Sequence, residues 1–313
     1  MEQSLLVLNA LLPVLLLVGL GALLRRLNVL QPEMERGLMQ LVVHVLLPAL
    51  TLVNIAGNAA LSDFGNVLSV AGFGFGMTAL SFSIAYTCAG ALRMKKGTGK
   101  RTFGVTAGLQ NYGFMGVPLL VALFAEGEVL GVLFTHNVGV EVAMWTIGVA
   151  LMSGGMKLSW RMLIKGPIIA VFIGLAMNAL YVGRALDGVP RETLQMLGNC
   201  AIPLALMVIG ASLVDLLKKQ RFDWKLVSGA VLVRLAIIPA VMLTVAYLLP
   251  ISESLKQVVV VQAAMPAAMF PIVLAKHYGG KPELAVQVVV STTIVCFLTV
   301  PIVVALGMSL LGL

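Results

Sequence analysis

The sequence predicts an all-helical integral membrane protein, and three observations predict it. Only 11% of the 313 residues are charged and 60% are hydrophobic, whereas soluble domains carry about a quarter charged residues. Ten apolar runs follow one another along the chain. Nearly all Lys and Arg fall in alternate connections between those runs. With a mean hydropathy of +1.03, the chain has too few charges to cover a surface facing water, so lipid is the solvent for most of it.

A spanning helix needs about 20 apolar residues to cross a hydrocarbon core of about 30 Å. Runs near 5–24, 38–56, 65–92, 102–124, 129–153, 167–183, 194–217, 226–249, 255–276 and 284–309 meet that need. The first, Leu5–Leu24, follows Glu2 and lacks a small-residue cleavage site, so it reads as a span and not as a secretory signal. Odd-numbered connections hold seventeen Lys and Arg, including Lys95 and Lys96, and even-numbered ones hold three. Positive loops stay in the cytoplasm. The bias predicts a cell inner membrane protein with both termini outside the cytoplasm and the 57–64 connection outside as well.

The net charge of +8 follows from this loop placement, so it does not indicate nucleic-acid binding. Cys88, Cys200 and Cys296 each lie inside an apolar run, implying neither a disulfide framework nor a metal site. No nucleotide-binding loop, zinc-hydrolase or serine-hydrolase motif occurs. The chain reads as neither an enzyme nor an ATP-driven machine, and needs no cofactor beyond coupling to protons or sodium.

Landmarks recur at a near-constant interval. Pro48 and Pro203, Gln110 and Gln262, and Pro118 and Pro271 are separated by 155, 152 and 153 residues. The spacing predicts two five-helix repeats, 1–153 and 154–313, with the second inverted because each holds an odd number of spans. Gly113 and Pro118 in the fourth run, and Pro266 and Pro271 in the ninth, mark helix breaks. Breaks at matching places point to a binding site near the bilayer midplane, and half-helix N-termini suit an anion.

Few polar residues lie inside the runs. Glu141 in the fifth is a proton carrier or a substrate contact, or else a structural partner of Arg234 in the eighth or a helix-packing hydrogen bond; an intramembrane ionisable group is costly and functional by default. Arg234 either reaches back to the cytoplasmic surface or pairs with a substrate carboxylate or Glu141. Gln110, Asn111 and Gln262 stand at the breaks with amides that donate and accept. Substrate contacts are therefore expected from Gln110, Asn111, Gly113, Glu141, Arg234, Gln262 and Pro266. His44 and His136 read as packing residues, and Asp215 as paired with Lys218 and Lys219. Gly72 and Gly76, as a G-x-x-x-G, read as a close helix contact.

These residues resemble those of the auxin efflux carrier family, in its bacterial branch. Asn111 with Met115-Gly116-Val117-Pro118-Leu119-Leu120 looks like the plant carriers' Asn and M-G-I-P-L-L. Val261-Gln262-Ala263-Ala264-Met265-Pro266 with Pro271 is similar to their V-Q-A-A-L-P and following proline. Ala275-Lys276 and Tyr278, Arg234-Leu235 with Pro239-Ala240-Val241-Met242, and Trp160-Arg161, Leu163-Ile164 and Pro167 extend the likeness. Two departures stand out. Gln110 occupies the place of the plant proline, so the first break must rely on Gly113, and Glu141 replaces a neutral amide.

The resemblance implies a bile-acid-symporter or sodium–proton-antiporter-like fold in which broken helices four and nine cross at the substrate. It also implies a scaffold of spans 1, 2, 6 and 7, a transport domain of spans 3–5 and 8–10, elevator-type alternating access, and two copies paired through the scaffold. The expected cargo is a small carboxylate such as malate, malonate or lactate, with auxin-like acids in the same class. The alternatives are a sodium/proton-type exchanger on the same fold and a non-transporting membrane sensor.

Overall fold

The structure is a computed structural model that describes residues 2–94, 97–113, 115–124, 127–155, 166–218 and 222–313, with side chains except at 2–8, 10–11, 98, 127, 166–167, 184–185 and 218. Twelve helices occur among the described residues. They are α1 (Glu2–Arg26), α2 (Pro32–Ile55), α3 (Phe64–Ala91), α4 (Thr98–Gly108), α5 (Gly116–Leu123), α6 (Glu128–Ser153), α7 (Gly166–Ala179), α8 (Val189–Lys218), α9 (Trp224–Leu248), α10 (Glu253–Ala264), α11 (Phe270–His277) and α12 (Pro282–Leu311).

Local sequence sets the ends of these helices. Pro32 and Pro282 open α2 and α12 where a missing N–H costs nothing. Asp63, Asp223 and Ser252 cap α3, α9 and α10 through their side-chain oxygens. Inside α2 and α9 the helix widens to π turns at Val42–Leu46 and Val233–Ile237, shortly before Pro48 and Pro239. A proline ring presses on the carbonyl four residues back, and a widened turn relieves that clash.

The expectation of ten spans in two inverted five-helix repeats is overturned. Among the described residues six helices are long and apolar enough to cross a membrane: α2, α3, α6, α8, α9 and α12. For the two interrupted runs the reason is continuity, which hydropathy does not report; the run near 5–24 forms α1, an unbroken helix of 25 residues whose side chains are described only in part. The run near 102–124 is cut into α4 and α5, of 11 and 8 residues, and the run near 255–276 into α10 and α11, of 12 and 8. Eight residues rise about 12 Å, far short of a bilayer core. The run near 167–183 yields α7, a helix of 14 residues. Lys95 and Lys96, and the stretch with Trp160, Arg161, Leu163 and Ile164, lie outside the described residues, as does Lys219.

α1 packs along α8, and α2 packs against both α7 and α8. α3 lies between α4 and α6, while α12 packs on α9, α10 and α4. Polar ties reinforce the first group. Arg25, buried at the end of α1, pairs with Glu35 at 2.5 Å and with Asp215 at 3.1 Å, and Ser212 also donates to Glu35. Asp215 thus pairs with Arg25 on another helix, while the side chains of Lys218 and Lys219 lie outside the described residues. Asn178 and Arg191 close the C-terminal end of α2 by donating to Ile55 O at 2.8 Å and Ala56 O at 3.1 Å.

Glycine permits the tightest crossings. A Cβ on Gly139 of α6 would collide with the Ala71 carbonyl of α3, and one on Gly74 of α3 would collide with the His136 carbonyl of α6. Gly72 and Gly76, expected to be the contact pair, face open space. The contact comes from the glycine between them, because α3 presents that face to α6. Gly139→Ala should therefore lower thermal stability in detergent, by on the order of 3 kcal/mol for a forced helix separation, whereas Gly72→Ala should stay within about 0.5 kcal/mol of the parent. Equal melting temperatures for the two variants would refute this crossing.

Candidate functional site

The two interrupted helices meet at their interruptions. α4 ends at Gly108 and the chain turns extended at Leu109 (φ −92°, ψ 120°), four residues ahead of Gly113. α10 ends at Ala264, and Met265 turns extended (φ −72°, ψ 143°) directly before Pro266, as a residue preceding proline must. The freed backbone groups then find each other. Gln110 and Ala267 form an antiparallel bridge, with Asn111 N donating to Pro266 O at 2.8 Å and Ala268 N donating to Leu109 O at 2.9 Å. Ala267 N donates to Thr292 Oγ1 on α12 at 3.2 Å. Lipid offers no partner for such groups, so a break inside the bilayer survives only with internal ones.

Pro118 and Pro271 lie in the first turns of α5 and α11, so they start the second halves and do not cut the first. Gly113 has no left-handed backbone, and its carbonyl accepts from Val117 N at 3.3 Å as α5 begins. Neither α5 nor α11 has a side-chain cap at its N-terminus, where Met115 and Met269 stand. Their leading N–H groups point a partial positive charge at the crossing.

Arg234 is fully buried in the widened turn of α9, so it does not reach the surface. Its guanidinium donates to Met265 O at 2.9 Å, to Gln262 O at 3.3 Å and, through a long bond of 3.5 Å, to Gly108 O. Glu141 has other partners. The Tyr112 hydroxyl donates to one carboxylate oxygen and the Trp145 indole to the other, at 2.8 Å. Trp145 sits in a third widened turn, Met144–Gly148, and packs edge-on against Phe270 at the start of α11, 5.2 Å between ring centroids.

Amides complete the crossing. Gln262 Nε2 and Asn137 Nδ2 both donate to the Tyr112 carbonyl, at 3.1 and 3.3 Å. The Oε1 atoms of Gln110 and Gln262 are buried without partners, and Asn111 is buried beside them. Unpaired amide atoms at this depth cost about 1–3 kcal/mol each, and a polar ligand would relieve that cost. Among the described residues no group of three or more His, Cys, Asp or Glu could hold a metal ion. His136 is buried on α6, its Nδ1 3.4 Å from Asn137 Oδ1, and His44 bonds its own helix at Gln40 O.

The structure thus brings Gln110, Asn111, Gly113, Gln262 and Pro266 to one crossing, with Glu141 linked to it through Tyr112 and Arg234 through three carbonyls. Sequence reasoning missed Tyr112, Asn137 and Thr292. Tyr112 adjoins the Gln110-Asn111 pair, but a tyrosine in an apolar run gives no sign of which carboxylate it meets. Asn137 and Thr292 are single polar residues without a motif.

Comparison with known proteins finds a family and three relatives. The family described as Membrane transport protein matches residues 6–159 and 154–304. An uncharacterized transporter of Methanothermobacter thermautotrophicus is 28% identical over 298 residues, covering 93% of this chain and 95% of the relative. An uncharacterized transporter of Methanocaldococcus jannaschii is 24% identical, covering 89% and 90%. Auxin efflux carrier component 8 of Arabidopsis thaliana is 27% identical over 137 residues, 42% of this chain and 37% of that one. These likenesses are to archaeal and plant proteins, so they support the family and not a bacterial branch of it. With six helices fit to cross a bilayer and a family match over nearly its whole length, the chain is a multi-pass integral membrane protein that belongs to the family of membrane transport proteins.

Proposed function

We propose that this transporter carries small organic anions and binds them where the two broken helices cross. The carrying observation is the pairing of the two breaks, after which α5 and α11 each begin without a side-chain cap, beside the unpaired amide oxygens of Gln110 and Gln262 and the amide of Asn111. Positive helix ends hold a carboxylate, and amides fix its orientation and any hydroxyl it carries. Malate, malonate and lactate fit this description, and auxin-like acids join them through the named plant relative.

Movement follows the packing. We propose that α1, α2, α7 and α8, tied by Arg25 and Arg191, form a static scaffold through which two copies pair. The remaining helices carry the crossing past it in an elevator-type motion. The proposed setting is a cell inner membrane with both termini outside. A second reading, sodium/proton-type exchange, draws on Glu141, a carboxylate close to two unpaired acceptors. Sodium-dependent flux without any organic anion would favour it.

Two predictions test the reading in proteoliposomes loaded with labelled malate, malonate, lactate or indole-3-acetate. Asn111→Ala should cut uptake at least about tenfold with normal expression, the size expected when one substrate hydrogen bond worth about 1.4 kcal/mol is lost. Pro266→Ala should impair uptake as well, by letting α10 rebuild its helical ladder through the break. Wild-type rates in both variants would exclude the crossing as the binding site.

Glu141 supplies the other test. A proton on this carboxylate would let an anion approach and would travel with it, so uptake should rise as external pH falls. Glu141→Gln keeps one acceptor oxygen for the Trp145 indole and offers an amide N–H to the Tyr112 oxygen, but binds no proton, so it should bind substrate yet lose that pH response. A mutant whose flux-against-pH curve overlays the parent's would show that Glu141 carries no proton.

A further inference from the structure

Arg234 is a buried cation with no carboxylate on it. The ion pairs among the described residues are Arg25 with Glu35, Arg25 with Asp215 and Arg191 with Asp187, all away from the crossing. Glu141 has both oxygens occupied by Tyr112 and Trp145. An uncompensated arginine at membrane depth costs several kcal/mol. Its compensation here is main-chain carbonyl, at Met265 and Gln262 from the end of α10 and at Gly108 from the end of α4. A helix C-terminus carries about −0.5 of an elementary charge. Two such ends together balance one guanidinium.

The same arithmetic applies to the opposite ends. The N-termini of α5 and α11 bring about +0.5 each, and neither has a side-chain cap. The buried, unpartnered Oε1 of Gln262 sits on a side chain whose Nε2 lies 3.2 Å from where a Cβ on Gly116 would stand, at the first residue of α5. Polar atoms that await a partner therefore lie against this positive end.

We infer that Arg234 is a positioning residue: its guanidinium staples the C-terminal ends of α4 and α10 together and cancels their negative charge, so that the crossing presents only the positive ends of α5 and α11 and selects an anion. The staple stands on geometry alone, whereas the charge selection rests on the anion reading above. Arginine suits the task because its planar fork reaches several carbonyls at once, which a single ammonium cannot do.

Two measurements separate these halves. In purified protein, hydrogen exchange at the bridging amides of Asn111 and Ala268 reads the staple. Arg234→Gln should speed exchange at both by about tenfold or more, the effect of losing roughly 1.4 kcal/mol of local stability. Arg234→Lys should protect at most one of them. Unchanged exchange at both amides in either variant overturns the staple, and the lysine variant serves if the glutamine variant does not fold.

In proteoliposomes, labelled L-lactate reads the charge. Arg234→Gln should raise its KM about tenfold, and Arg234→Lys, which keeps the charge, should hold KM near the parent's while lowering the maximal rate. Equal KM in all three overturns the charge selection. A wild type that moves neither lactate nor any other organic anion overturns the anion reading and the charge selection with it, while exchange still decides the staple.

Discussion

Backbone polarity in lipid is the constraint on which this molecule depends. Every N–H and C=O inside the hydrocarbon layer needs a partner, and an interrupted helix releases several of each. One break alone would leave them orphaned. Two breaks placed face to face supply each other, through Asn111 with Pro266 and Ala268 with Leu109. Thr292 and Arg234 take the groups that remain. Neither interruption is a local property of its own helix, because each is stable only in the presence of the other.

That mutual dependence explains why polar side chains gather where they do. Tyr112 lies in the first break and has two roles at once. Its carbonyl accepts from Gln262 of α10 and Asn137 of α6, and its hydroxyl donates to Glu141 of α6. A displacement of the break is thereby felt at the carboxylate, and a change at the carboxylate is felt at the break. Trp145 extends the same linkage to α11 through its contact with Phe270. Substrate and proton would then be coupled by one residue's backbone and side chain, without a longer relay.

The sequence displayed the positions of the breaks but not their closure. Pro266 removes a donor and constrains Met265, so that interruption is legible from chemistry. The first break has Gln110 in place of a proline, and it forms at Leu109 because the partner strand lies there, which no local signal reports. Hydropathy fails in a related way: it measures how apolar a stretch is and not whether its helix is continuous, hence two of the expected spans are broken pairs of short helices. Gly74 was passed over for Gly72 and Gly76 because a spacing rule does not say which face of α3 meets α6.

The two arginines that meet helix ends show why the buried one lacks a carboxylate. Arg191 closes α2 at Ala56 and also pairs with Asp187, in a partly exposed setting where water shares the cost of both charges. At Arg234 a carboxylate partner would itself have to leave water, at a further cost of several kcal/mol. The C-terminal ends of α4 and α10 are there already, as a consequence of the breaks. Their carbonyls offer negative charge with no additional group to bury. A cation drawn to those ends lowers the cost of having broken the helices, and the same breaks leave the opposite, positive ends without side-chain caps. The crossing can therefore be held together by a cation at its negative helix ends and still present positive ends at its centre.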